Sequence, residues 1–97
     1  MPDLGSNNHL ILRNHGLLTV GETAAEAFVN MYILETACAI QVCAQAGGRE
    51  LIHVSKEIVD RAYQQLMTGG RRRGSRGELV WPGLLRRLDR ADPSYRC

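Results

Sequence analysis

Leu10-Ile11-Leu12-Arg13-Asn14-His15-Gly16-Leu17-Leu18-Thr19-Val20-Gly21 constrains this chain more than any other segment. The nearly continuous apolar run at 9–14 predicts a strand covered on both faces, and 16–20 predicts a second short strand or an extension of the first. A single histidine stands between them, directly before a glycine. A histidine at a strand tip sits on a rigid element, and the glycine after it lets the backbone turn sharply or approach a ligand closely. His15 is therefore placed well for a metal ligand, although a lone histidine beside a turn is more often structural or simply exposed. Spacing by itself leaves both readings open.

Gly21 ends the second strand, and Thr23 with Glu26 three residues later forms a Thr-x-x-Glu capping box. It predicts a long helix over 24–45. Projected at about 100° per residue, Glu22, Glu26, Asn30, Gln41 and Gln45 gather on one side, and Phe28, Met31, Tyr32, Ala39 and Val42 on the other. Glu35 falls inside the apolar arc, where a buried carboxylate needs an ion pair, a hydrogen bond or a place at a subunit boundary. Gly47-Gly48 stops the helix with a left-handed cap. Residues 51–54 read as an extended connection. Ser55 then caps a second helix, on which Ile58, Val59, Ala62, Tyr63, Leu66 and Met67 recur at helical spacing until Thr68-Gly69-Gly70. Pro82 suits the first turn of a third helix carrying Leu84, Leu85 and Leu88, which Asp92-Pro93 closes. The chain thus divides into a loop at 1–8, a strand–helix–helix core at 9–68, a Gly/Arg-rich linker at 69–78, and a helix and tail at 79–97.

Ninety-seven residues, 44% hydrophobic and 23% charged, suit one small domain. Glu35, Thr36 and Gln41 interrupt the most apolar helix, so no run is expected to reach the roughly 18 to 20 apolar residues of a membrane span. The first residues lack a basic start and an apolar signal core, and a cytoplasmic location is expected. Cys38 and Cys43 point about 140° apart on a helix, so they read as small buried hydrophobes, while Cys97 is terminal and has no evident partner. Arg71-Arg72-Arg73-Gly74-Ser75-Arg76-Gly77 could attract phosphates, but its glycines fix no geometry and no aromatic residue is interleaved for base stacking. It reads as a solvated linker. Neither nucleic acid nor membrane is an expected partner.

Three pieces in order, Arg13-Asn14-His15-Gly16-Leu17-Leu18-Thr19-Val20-Gly21, Trp81-Pro82-Gly83-Leu84-Leu85-Arg86-Arg87-Leu88-Asp89-Arg90 and Asp92-Pro93-Ser94-Tyr95-Arg96, flank a long helix. Together they resemble the C-terminal half of the class II aldolase/adducin family. The resemblance implies an α/β fold: part of an α/β/α layered arrangement around a mostly antiparallel sheet, to which this chain would give one or two strands and about three helices. It also implies that His15 matches one of three histidines that hold zinc or a similar divalent ion. In the family the other two come from an upstream His-x-His pair, an upstream glutamate is the acid/base, and upstream Gly, Asn, Ser and Thr residues hold the substrate phosphate. His9, His15 and His53 are too scattered to make such a pair.

The chain is accordingly expected to be a C-terminal portion of a class II aldolase-like protein. The complete form would cleave or epimerise a small sugar phosphate on a divalent metal and would assemble as a homo-oligomer, a tetramer in the family. The portion by itself is expected to be inactive. The alternative is a non-enzymatic, adducin-like module serving association with the actin cytoskeleton and oligomerisation.

Overall fold

The computed structural model describes residues 4–71 and 77–96. Met1-Pro2-Asp3, the arginine-rich linker over 72–76 and Cys97 lie outside the described residues.

Strand β1 (His9–Leu12) and strand β2 (Gly16–Thr19) pair antiparallel, with His9 opposite Thr19, Leu10 opposite Leu18, Ile11 opposite Leu17 and Leu12 opposite Gly16. The first strand is shorter than its apolar run suggests. Arg13, Asn14 and His15 form the turn of a hairpin, closed by the His15 N–H donating to the Leu12 carbonyl at 3.4 Å. Asn14 adopts φ +64° and Gly16 φ +112°, the left-handed conformations that a three-residue hairpin loop demands and that asparagine and glycine tolerate best. His15 therefore sits in the turn itself rather than at the end of β1.

Helix α1 (Ala24–Ala46) starts as the capping box predicts. The Thr23 hydroxyl accepts from the Glu26 N–H at 3.1 Å, and the Glu26 carboxylate reaches back to the Glu22 N–H at 3.0 Å, one residue before the usual partner. Gly48, at φ +67°, supplies the left-handed stop after Ala46. Helix α2 (Lys56–Arg71) begins with the Ser55 carbonyl taking the Val59 N–H. It continues through Gly69 and Gly70, which were expected to end it. It carries the ion pairs Lys56–Asp60 at 2.7 Å and Glu57–Arg61 at 3.2 Å, both at i,i+4 spacing. Helix α3 (Trp81–Ala91) has its proline in the first turn, and a short 3₁₀ turn, η1 (Pro93–Arg96), follows it.

The packing differs from the helical projection in one important respect. The arc of α1 turned inward contains Ala27, Asn30, Met31, Leu34 and Cys38, and Asn30 is the one fully buried side chain among the described residues, at 1% exposure. Tyr32 and Val42, placed on the apolar side by the projection, are 66% and 65% exposed. A projection ranks residues by polarity, whereas an amide can face inward when a backbone carbonyl satisfies it. Phe28 is used differently, meeting Trp81 of α3 edge to face at 5.8 Å between ring centroids. Such a pair adds about 0.5–1.5 kcal/mol beyond its buried area. Cys43 is exposed and Cys38 half-buried, so neither is the buried hydrophobe expected.

Ile11 is 68% exposed, so β1 is open on one face in this chain. Among the described residues no apolar side chain is buried, and the chain exposes 8592 Å² where a compact chain of its mass exposes about 5,500 Å². The hairpin packs on α1, whereas α2 lies exposed along its length. Helix α1 is also long and apolar enough, by length and composition, to cross a membrane, which revises the expectation drawn from its polar interruptions. A core helix of a layered domain has the same profile, and the side-chain bonds that tie α1 to the hairpin fit that role.

Glu35 is exposed and makes no ion pair among the described residues, so within a single chain its charge is solvated. Glu35→Gln is expected to change the unfolding free energy of the monomeric chain by no more than about 0.5 kcal/mol. Chemical denaturation checks this, and a loss of several kcal/mol would show that the carboxylate has a buried partner within the chain.

Candidate functional site

The hairpin that carries His15 packs on α1 through both strands, and two side-chain hydrogen bonds tie it to the helix where the chain leaves β2. The Thr19 hydroxyl donates to the Ala27 carbonyl at 2.9 Å, and the Asn30 amide donates through Nδ2 to the Val20 carbonyl at 2.9 Å. On the other side of the same residue, the Val20 N–H donates to the Asn8 carbonyl at 3.0 Å. Val20 is thus held through both of its backbone polar groups as the chain leaves β2. Gly21 follows at the closest approach of strand exit and helix, where a Cβ would lie 2.7 Å from the Ala27 nitrogen and 2.9 Å from the Glu26 Cβ. Only glycine fits there. Sequence reasoning assigned Asn30 to the solvent side and missed this contact; an asparagine in mid-helix, a poor helix former, was the available signal.

His15 lies at the free end of this assembly, exposed, and its ring makes no hydrogen bond to the described residues. His9 is exposed on β1, and His53 is exposed in the connection between α1 and α2. No group of three His, Cys, Asp or Glu side chains among the described residues could hold a metal ion. The donor set therefore fits a metal only in part. His15 offers one accessible nitrogen on a constrained turn, and a site of ordinary zinc stoichiometry needs two further ligands from other chain segments.

The sequence motif at the C-terminus forms a structural clasp. The Tyr95 hydroxyl donates to Asp89, and the Arg96 guanidinium pairs with the other oxygen of the same carboxylate, which draws η1 back against α3. The Tyr95 hydroxyl and the Asp89 charge both raise the Arg96 pKa above its ordinary value. The Asp92 carboxylate accepts from the Ser94 side chain and backbone, which holds it below the ordinary carboxylate range. A carboxyl with a depressed folded-state pKa stabilises the turn it closes above its unfolded pKa and stops doing so as pH falls through the folded one. The Ser94 amide resonance is therefore expected to stay unchanged from neutrality down through the ordinary carboxylate range and to shift only in stronger acid. NMR titration checks this, and a shift already complete near neutrality would contradict it.

A cleft of about 370 Å³ opens where the first turn of α1 meets α3, lined by Thr23, Ala24, Ala25, Glu78, Trp81 and Pro82. Glu78 is the one charged group in it, and His15 does not line it.

Residues 2–42 match the family described as Class II Aldolase and Adducin N-terminal domain. That span contains the hairpin, His15, the two side-chain bonds to α1 and most of α1. A protein of Pseudomonas aeruginosa whose name places it among aldolase class 2 proteins is 48% identical over 95 residues, covering 97% of this chain and 37% of the relative. A similarly named protein of Caulobacter vibrioides is 47% identical over 94 residues, covering 96% of the chain and 35% of the relative. Human gamma-adducin is 38% identical over 91 residues, covering 82% of the chain and 13% of the adducin. No solved structure matches the chain. The chain spans little more than a third of the bacterial relatives it matches, and with its two antiparallel strands and three helices it belongs to the class II aldolase/adducin family as an α/β segment of that fold.

Proposed function

We propose that this chain is part of a class II aldolase-like protein that cleaves or epimerises a small sugar phosphate with the help of zinc or a similar divalent ion, and that His15 is one ligand of that ion. The observation that supports this best is the hairpin turn. It presents an exposed imidazole on a turn whose backbone is fixed by Asn14, Gly16 and the Leu12–His15 hydrogen bond, inside the span that matches the family. An ion held by three protein ligands with one position open stabilises the negative charge that develops on an oxygen when the proton beside its carbonyl is removed. The part of His15 is to offer a neutral nitrogen in a constant direction. The acid/base and the phosphate-binding groups belong to segments other than those described here, and residues 1–97 act as one part of the layered domain in a cytoplasmic homo-oligomer. The higher identity to the aldolase-named bacterial proteins than to the adducin favours this reading.

A second reading, an adducin-like module for actin-cytoskeleton association and oligomerisation, is favoured by the match to gamma-adducin over 82% of the chain. The two separate in a chimera in which this chain replaces the 95 residues it matches in the Pseudomonas protein. The enzyme reading expects the chimera to retain bound metal and to turn over a small sugar phosphate in a coupled aldolase or epimerase assay. A folded, metal-free and inactive chimera, made from a parent that does bind metal, would overturn it in favour of the adducin-like reading. The 97-residue chain alone is expected to be inactive and to show no sub-micromolar zinc site by calorimetry, since one ligand of the needed three is present. A tight one-to-one site lost on His15→Ala would mean that His9, His53, a cysteine or a second chain completes the coordination.

A further inference from the structure

We propose that the apolar face of α2 docks on the outer arc of α1 in a second copy of this chain, reciprocally, so that one dimer contains two α1–α2 contacts. This rests on the homo-oligomeric part of the reading above and involves no metal. Ile58, Val59 and Tyr63 lie along one side of α2, each more than half exposed, and the ion-paired residues Lys56, Glu57, Asp60 and Arg61 lie along the other. A helix so divided turns its apolar side toward a core, yet α2 is exposed along its length. Helix α1 offers the matching surface. Its inward arc meets the hairpin, while Tyr32 and Ile40 on the arc turned away are each about two-thirds exposed. A helix that is apolar on both sides is a buried helix, and here one side is open.

Three observations assign the occupant. The connection carries α2 away from its own α1: Gly48 turns the chain at φ +67°, and the following segment over 51–55 forms neither helix nor strand and leaves Ile52 96% exposed. Identical chains exchange elements across tethers of this kind. Area then favours two contacts over one. A standard interface covers about 800 Å² with 20–30 residues on each side, so the roughly eight residues of one face of α2 cover about 300 Å², or about 600 Å² for both partners. A single α2–α2 pairing therefore falls short of the roughly 1,000 Å² a specific interface needs, and two reciprocal contacts reach about 1,200 Å². Charge agrees as well. Glu35 is the only charge between Ala27 and Ala46, lies in the exposed arc and makes no ion pair among the described residues. On α2 the cations Lys56 and Arg61 border the apolar stripe on its two edges, in ion pairs open enough to solvent to exchange partners.

Sedimentation equilibrium of the 97-residue chain tests this, and a reversible dimer is expected. Ile40→Glu on α1 and Ile58→Lys on α2 are each expected to weaken it at least about 100-fold, because each leaves two unpaired charges in one interface. Both side chains are exposed in the single chain, so the circular dichroism spectrum is expected to stay unchanged. Mixing the two variants is expected to restore association, since the mixed dimer keeps one native contact and sets glutamate against lysine in the other. Should either variant fail to fold, Glu35→Gln provides the test: it is expected to weaken the dimer about 10-fold, two ion pairs being lost together, and an unaltered dimer would overturn the proposal. A dimer that responds to Ile58→Lys but not to Ile40→Glu would mean that α2 pairs with α2, and would overturn the exchange. A dimer that ignores both substitutions would overturn the docking surface and leave the homo-oligomer standing. A chain that is monomeric at every concentration would remove the homo-oligomeric reading for residues 1–97 and this proposal with it.

Discussion

Replacing His15 by alanine in the chimera is expected to strip it of bound metal and to abolish turnover while leaving the fold intact. The side chain is exposed and bonds to nothing described, so its removal takes away no packing and leaves no buried partner unsatisfied. The backbone of the turn is set by Asn14 and Gly16 rather than by the imidazole, and alanine keeps the N–H that donates to Leu12. Melting is thus expected to stay within the range of surface substitutions, about 0.5 kcal/mol. Metal binding is a different matter. Removing a residue that merely orients a ligand lowers affinity about 10- to 100-fold, and deleting one of three direct ligands is expected to exceed that. Elemental analysis of the dialysed protein and circular dichroism melting measure the two effects independently. Unchanged metal content in the alanine variant would end the assignment of His15 as a ligand.

Gly21→Ala is expected to have the largest effect on stability. Its new Cβ would meet the Ala27 nitrogen at 2.7 Å and the Glu26 Cβ at 2.9 Å, and the nitrogen belongs to helix backbone that cannot rotate aside. Strand exit and helix must separate, which strains the Thr19–Ala27 and Asn30–Val20 bonds together. A cost of about 3 kcal/mol, the upper end of ordinary overpacking, is expected from urea unfolding of the chimera. Gly16 provides the contrast. An added Cβ there meets nothing within 4 Å, but the residue lies at φ +112°, so Gly16→Ala is expected to cost about 1–3 kcal/mol of backbone strain confined to the turn. Hydrogen exchange separates the two mechanisms. Gly21→Ala should expose the amides of β2 and the first turn of α1 together, whereas Gly16→Ala should affect the turn and leave the helix protected. An unchanged unfolding midpoint for Gly21→Ala would show that strand and helix do not meet as closely as described.

Features that a few neighbouring residues decide were readable from the sequence. The Thr23–Glu26 box, the left-handed stop at Gly48, the Ser55 start and the proline in the first turn of α3 each close a hydrogen bond or a steric requirement within about one helical turn. The same locality explains why His15 and Gly16 stood out, and why the motifs around them sufficed to indicate the family. The boundaries moved where local signals compete: β1 ended at Leu12 because Asn14 and Gly16 turn the chain before the apolar run can extend, and α2 ran on through two glycines. Only the tertiary structure decided which arc of α1 faces the hairpin. That choice rests on the Val20 carbonyl, ten residues from Asn30, and on a glycine at the crossing that lets strand and helix meet, neither of which enters a polarity projection of the helix. Sequence determined the elements and the turn between the strands; the three-dimensional contact between strand exit and helix determined how the hairpin is seated on α1, because seating depends on groups brought together across the fold.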